Sequence, residues 1–205
     1  MSVPAFADMV ADEPVLIASA RSSAAEMGCP AIAPAVGTAL ATLATAVNAR
    51  AVVEIGTGAG VSTLWLLAGM RPDGVLTSVD SDGEHQRAAR SALVEADVPT
   101  ARARLINGSA ADVLPRLADG GYDLVFCDAT TREYPGYLTH LQRILRPGGI
   151  LAWHGLLWRD RVADQSARDP DTIAWRDLIA ALRADPRVRT AVLPVGDGLL
   201  VAIRS

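Results

Sequence analysis

Val53-Glu54-Ile55-Gly56-Thr57-Gly58-Ala59-Gly60-Val61-Ser62 carries the chain from an apolar run, through a cluster of glycines, into a new helical pattern. The run from Ala51 to Ile55 is rich in β-branched residues and reads as a buried strand, and the residues from about 60 to 70 read as a helix. Glycines at such a junction let a ligand approach the backbone and leave helix amides directed at it. The spacing is G-x-G-x-G, and Val61 stands where a dinucleotide site would place the third glycine of G-x-G-x-x-G, so a pyrophosphate is disfavoured. Glu54, just before the first glycine, would also repel a phosphate and suits a cationic or amine-bearing ligand.

Outward from this loop, strands and helices alternate. Strands are predicted at Val75 to Val79, Arg102 to Ile106, Tyr122 to Cys127 and Ile150 to Trp153. Helices lie between them near 83–96, 110–117 and 134–145, and Arg146-Pro147-Gly148-Gly149 reads as a stop and turn. This order implies a parallel sheet covered by helices on both faces. The end departs from it: after a helix near 171–184, Thr190 to Val195 and Leu199 to Arg204 are joined only by Gly196-Asp197-Gly198. So short a link is a hairpin, and it puts an antiparallel strand on the sheet. Residues 4–50 read as helices broken at Pro30 and Pro34, the last ending near Asn48. We therefore expect one domain over 1–205, an N-terminal helical segment (1–50) followed by an α/β core (51–205). Asp164 to Asp171, polar and containing Pro170, is the expected mobile loop.

Composition narrows the chemistry. The chain has 205 residues, half of them hydrophobic, and all 19 basic residues are Arg. Without lysine there is no Schiff base, no phosphate-loop lysine and no lysine general base. A net charge of −4 with scattered Arg argues against a nucleic-acid partner. The apolar stretches are too short for a membrane span and the first ten residues do not resemble a signal peptide, so a cytoplasmic protein is expected. Cys29 and Cys127 read as buried thiols.

Further candidates cluster at the carboxyl ends of the strands, where open α/β sheets bind ligands. Asp80 could accept hydrogen bonds from ribose hydroxyls, and Gly108-Ser109-Ala110 would admit the edge of an adenine ring. Asp128 ends the fourth strand. Each has a plainer reading: Glu54 as a helix cap, Asp80 at a turn, Ser109 as the N-cap of the next helix. It is their convergence that points to a site.

Together these residues resemble the class I S-adenosylmethionine (SAM)-dependent methyltransferases, and more narrowly the catechol and caffeoyl-CoA O-methyltransferase family. The stretch from Val53 to Trp65 is close to that family's first motif. Asp128-Ala129 with Tyr134 and Tyr137, Arg146-Pro147-Gly148-Gly149, Leu157-Trp158 and the segment Val195 to Leu199 also match. The resemblance implies a seven-stranded sheet with the last strand antiparallel. It implies SAM as cofactor, bound around Glu54, Gly56, Thr57, Gly58, Gly60, Ser62, Asp80, Ser109, Ala110 and Asp128, with Ile32 near its methionine end. A small-molecule acceptor and a homodimer follow from the same resemblance.

The family's divalent cation is a different matter. The family holds it with one Asp after strand four and an Asp-Asn pair after strand five, beside a lysine that helps deprotonate the acceptor. Here Asp128 remains, the pair is His154-Gly155, and the second acid and the lysine are Thr130 and Thr131. One carboxylate with one imidazole is a poor set for Mg²⁺. The expectation is a cation-independent enzyme with His154 as general base, oriented by Asp128. Two other readings stand beside it: a His154 that only fills space, and a transition metal shared by Asp128 and His154. Trp153 and Trp158 are expected to line the acceptor pocket, whereas Tyr134 and Tyr137 are expected to pack on the sheet. The competing functions are a non-catalytic cofactor-binding protein and a nicotinamide oxidoreductase.

Overall fold

The computed structural model describes residues 2–205. Three helices come first: α1 (Val3–Val10), α2 (Val15–Glu26) and α3 (Pro34–Ala46). Pro14 heads α2, a break that the sequence reading missed, and Gly28, at φ +66°, ends it. There the Cys29 amide donates back to the Ala24 carbonyl at 2.9 Å, a left-handed C-terminal cap. Asn48, at φ +54°, ends α3 in the same way.

The core then alternates as the pattern predicted. It runs through β1 (Ala51–Ile55), α4 (Val61–Gly69), β2 (Val75–Asp80), α5 (Gly83–Glu95), β3 (Ala103–Asn107), α6 (Ala110–Val113) and β4 (Tyr122–Cys127). It finishes with α7 (Tyr134–Ile144), β5 (Leu145–His154), α8 (Pro170–Ala184), β6 (Val188–Leu193) and β7 (Leu199–Arg204). The sheet order is β3-β2-β1-β4-β5-β7-β6, with β7 antiparallel to both of its neighbours. This is the seven-stranded sheet that the resemblance implies, with the antiparallel strand that the hairpin predicts. Two details differ. Arg146-Pro147-Gly148-Gly149 is not a turn before β5 but lies within it, where the register with β4 shifts and Gly148 takes φ +73°. β6 also begins two residues earlier than the apolar run suggested.

Two cores flank the sheet. One face packs Leu76, Val52, Leu124 and Ala152 against α3 and α4, and the other packs Val53, Val125, Leu151 and Trp153 against α7 and α8. Period-two alternation produces this division: Ala152 and Trp153 are neighbours in sequence and belong to opposite cores. The abundance of small residues acts where α3 meets α4. A Cβ on Gly69 would stand 2.1 Å from the Ala41 carbonyl oxygen, so the two helix backbones nearly touch.

Asp164 to Asp171 is held more firmly than its composition suggested. The Arg176 guanidinium, from α8, donates to the carbonyls of Arg161, Val162, Asp164 and Ala167. Asp169 caps α8 through the Thr172 amide and also binds Arg161. No helix of the described residues is long and apolar enough to cross a membrane.

Candidate active site

β1 and β4 are adjacent in the sheet, but their helices leave toward opposite sides, so a crevice opens at their carboxyl ends. A cavity of about 580 Å³ occupies that crevice. This lies within the range of small-molecule sites. Its floor is the glycine loop. Gly56 takes φ +93°, and a Cβ there would stand 2.1 Å from the Asp128 carbonyl oxygen; no other residue lets β1 and β4 come this close. A Cβ on Gly58, at φ +50°, would meet Cys29 Sγ at 3.3 Å. Gly60, expected beside the cofactor, does not line the cavity but is the N-cap of α4, at φ +90°, and Val61 and Ser62 of the first turn do line it.

Of the expected cofactor residues, Ile32, Gly56, Thr57, Gly58, Ser62, Asp80, Ser109, Ala110 and Asp128 all line this cavity. Asp80 accepts the Gly58 amide on Oδ2 at 3.0 Å and the Asp82 amide on Oδ1 at 2.9 Å. Each oxygen keeps further lone-pair capacity toward the cavity. Ser109 is both a wall residue and the N-cap of α6, accepting from the Ala111 amide at 3.1 Å.

Glu54 departs from its expected place. It is fully buried beneath the loop and does not line the cavity. Its Oε2 accepts from Thr63 at 2.5 Å and from Ser78 at 2.6 Å, and Oε1 has no partner. Ser78 in turn meets Thr57 at 2.6 Å, and Gln86 donates to the Thr57 hydroxyl at 3.0 Å. The chain of hydroxyls therefore points at the carboxylate and braces the loop from behind, rather than offering Glu54 to a ligand. Burial pushes the Glu54 carboxyl up to about 7, against the pull of its Ser and Thr hydrogen bonds.

At the adjoining edge, His154 Nδ1 lies 3.1 Å from Asp128 Oδ1. Burial opposes the charged imidazole, but the Asp128 hydrogen bond and the charges of Asp128 and Asp197 outweigh it and raise His154 above its ordinary value. With Nδ1 turned to Asp128, Nε2 is left buried and without a partner. It faces the β6–β7 turn, where a Cβ on Gly196 would come within 3.3 Å of it.

Trp153 is corrected as a pocket residue: it is wholly buried in the second core, on the other side of the sheet from His154. Trp158 is half-buried against that same core and is absent from the cavity wall. Tyr134 packs edge-to-face on Trp175, and its hydroxyl closes on the Ala129 backbone. Tyr137 packs in the same core and also reaches the cavity. Sequence reasoning missed His85, Glu133 and Tyr137 as wall residues. His85 was readable: a helix that starts directly after the Asp80 turn directs its first residues back at the strand end, and Nδ1 lies 3.5 Å from Asp80 Oδ2.

The cradle fits the cofactor implied by the resemblance, since space is kept open by glycines and a carboxylate is pre-oriented at the β2 end. The divalent cation does not fit. Among the described residues no three His, Cys, Asp or Glu side chains converge, Asp128 Oδ1 is taken by His154, and Gly155 has no side chain to offer.

The profile of the O-methyltransferase family matches residues 8–205. A Mycolicibacterium vanbaalenii protein that carries an O-methyltransferase name is 48% identical over 192 residues, covering 94% of this chain and 85% of that one. The O-methyltransferase TomG of Streptomyces achromogenes, involved in tomaymycin synthesis and crystallised with SAM, superposes with a TM-score of 0.88 at 28% identity, covering 98% of this chain and 94% of that one. The O-methyltransferase of Bacillus cereus in complex with S-adenosylhomocysteine (SAH) gives 0.86 at 26% identity, covering 94% and 92%.

Proposed function

Because the chain belongs to the O-methyltransferase family, we propose that it uses SAM to methylate a hydroxyl of a small, aromatic acceptor, with no divalent cation and with His154 as the base. The observation that carries the base assignment is the unpartnered, buried Nε2 of an imidazole whose other nitrogen is fixed by Asp128. A buried polar atom left without a partner carries a free-energy cost, and a proton to accept gives it a purpose.

SAM supplies an electrophilic methyl group. The chain's part is to bind, orient and deprotonate. Asp80 would accept the ribose hydroxyls, and the loop amides with the start of α4 would receive the methionine carboxylate. Ile32, buried at the cavity wall, would pack at the methionine end. Nε2 would take the proton of an acceptor hydroxyl brought against it, leaving an oxygen nucleophile. Asp128 holds the imidazole in the tautomer that can accept.

Nε2 accepts only when His154 is neutral, so turnover rises as pH climbs through a His154 pKa that lies above the ordinary imidazole value. Asp128→Asn removes the charge that raises it, and the rising limb of kcat against pH is expected to move to lower pH while the maximum falls. A limb that stays in place would detach Asp128 from the base. Enzyme stripped with a chelator is expected to keep its turnover; complete loss, restored by a divalent metal, would overturn the cation-independent reading in favour of a metal shared by Asp128 and His154.

We also read the partner as a second copy of the chain. No residue of α1 is buried, and Phe6, Met9 and Val10 stand more than half exposed beside a groove lined by Thr38, Leu43 and Leu193. Apolar patches of this kind mark association surfaces. Sedimentation should show a dimer, and Phe6→Asp a monomer; a monomeric wild type would remove this reading.

A further inference from the structure

Glu133 and Tyr137 have no role in the chemistry above, yet both line the cavity. Tyr137 is buried, and its hydroxyl donates to Glu133 Oε2, which fixes an exposed carboxylate on the wall that follows β4. Burial, together with the hydrogen bond and charge of Glu133, holds the Tyr137 phenol above its usual range, so it remains a donor. Glu133 Oε1 accepts no hydrogen bond from the described residues.

The segment after β3 lines the same cavity; there Ser109 is occupied in capping α6 and Ala110 presents only a methyl group. Ala110 and Tyr137 belong to the same core, so the two walls lie on the same face of the sheet. A flat ring admitted beside Ala110 would share the cavity with the Glu133 carboxylate. An ionised carboxylate only accepts hydrogen bonds; it pairs with a ring amine and repels a ring carbonyl.

We propose that Glu133, held in place by Tyr137, reads the 6-amino group of the cofactor's purine and selects an aminated ring over an oxo ring. This rests on the SAM reading given above.

Calorimetry with SAH and with its 6-oxo counterpart, S-inosylhomocysteine, tests it without any turnover. Wild type is expected to bind SAH about tenfold more tightly than the oxo compound, the scale of one hydrogen bond to a charged group. Glu133→Ala should lose about tenfold in SAH affinity and leave the two ligands nearly equal. Glu133→Gln, whose amide can donate as well as accept, should bind the oxo compound better than wild type does. Tyr137→Phe should narrow the preference without reversing it. Glu133 is exposed, so its substitutions leave the core intact, and Tyr137→Phe keeps the buried ring; melting curves will verify both. If wild type binds SAH and both Glu133 variants keep its preference, the inference falls while the cofactor reading stands. If wild type does not bind SAH, the cofactor reading itself falls.

Discussion

His154→Ala is expected to lower kcat by about 10²- to 10⁴-fold, the usual contribution of a positioned general base. SAH affinity should stay near wild type, because His154 does not line the cavity that we assign to the cofactor. The pH dependence supplies an independent check. Without an internal base, residual turnover should follow ionisation of the acceptor hydroxyl itself and continue to rise toward the acceptor's own pKa. His154→Gln keeps a hydrogen bond to Asp128 but cannot take a proton near neutrality, and it should be as slow as the alanine variant. A glutamine variant with full activity would make His154 structural and leave Asp128 as the remaining candidate. Because Asp128 loses its partner in the alanine variant, the comparison with glutamine also separates lost chemistry from lost packing.

Gly56→Ala is expected to have the largest effect on the fold. The added methyl group would meet the Asp128 carbonyl oxygen at 2.1 Å and its carbon at 2.7 Å, which are backbone atoms that cannot swing aside. It would also force a side chain onto φ +93°. Strain and overpacking together amount to about 3–5 kcal/mol. That is a large share of the roughly 5–15 kcal/mol available to a domain, and for a chain of this size it lowers Tm by about 10 °C. SAH binding should disappear with it. Gly136→Ala is the control: it lies in α7 with no atom within 4 Å of an added Cβ and should be neutral or stabilising by up to about 1 kcal/mol. Equal melting temperatures for Gly56→Ala and wild type would mean that the glycine is not required at the junction of β1 and β4.

The fold was legible because its signals are local. β-branched runs, a glycine junction and a short glycine-bearing hairpin link each specify their element without knowledge of the rest. The cavity was legible for a related reason: strand ends converge on one edge, so Asp80, Ser109 and Asp128 could be grouped before any distance was known. What the sequence hid is mostly two-sided. Adjacency in sequence puts Trp153 beside His154, but consecutive residues of a strand face opposite ways, and the indole lies in the core. The charge of Glu54 points to a ligand, but its burial points inward. Its neighbours in space, Ser78 and Thr63, are polar residues from two other elements that no spacing rule links to it. The loop from Asp164 to Asp171 looked free because the residue that holds it, Arg176, lies in the following helix.

The position of β7 bears on the order in which the molecule assembles. It is the last strand in the sequence but an inner strand of the sheet, seated between β5 and β6. Until it arrives, β5 presents an open row of backbone donors and acceptors, with the apolar residues Ile150, Leu151 and Ala152 beside it. Such an edge invites pairing with other chains. The same strand lays its entry turn against His154. Closing the sheet and enclosing the imidazole are therefore one event, and a nascent or partly unfolded chain lacking that strand would leave His154 open on the side of the Gly196 turn.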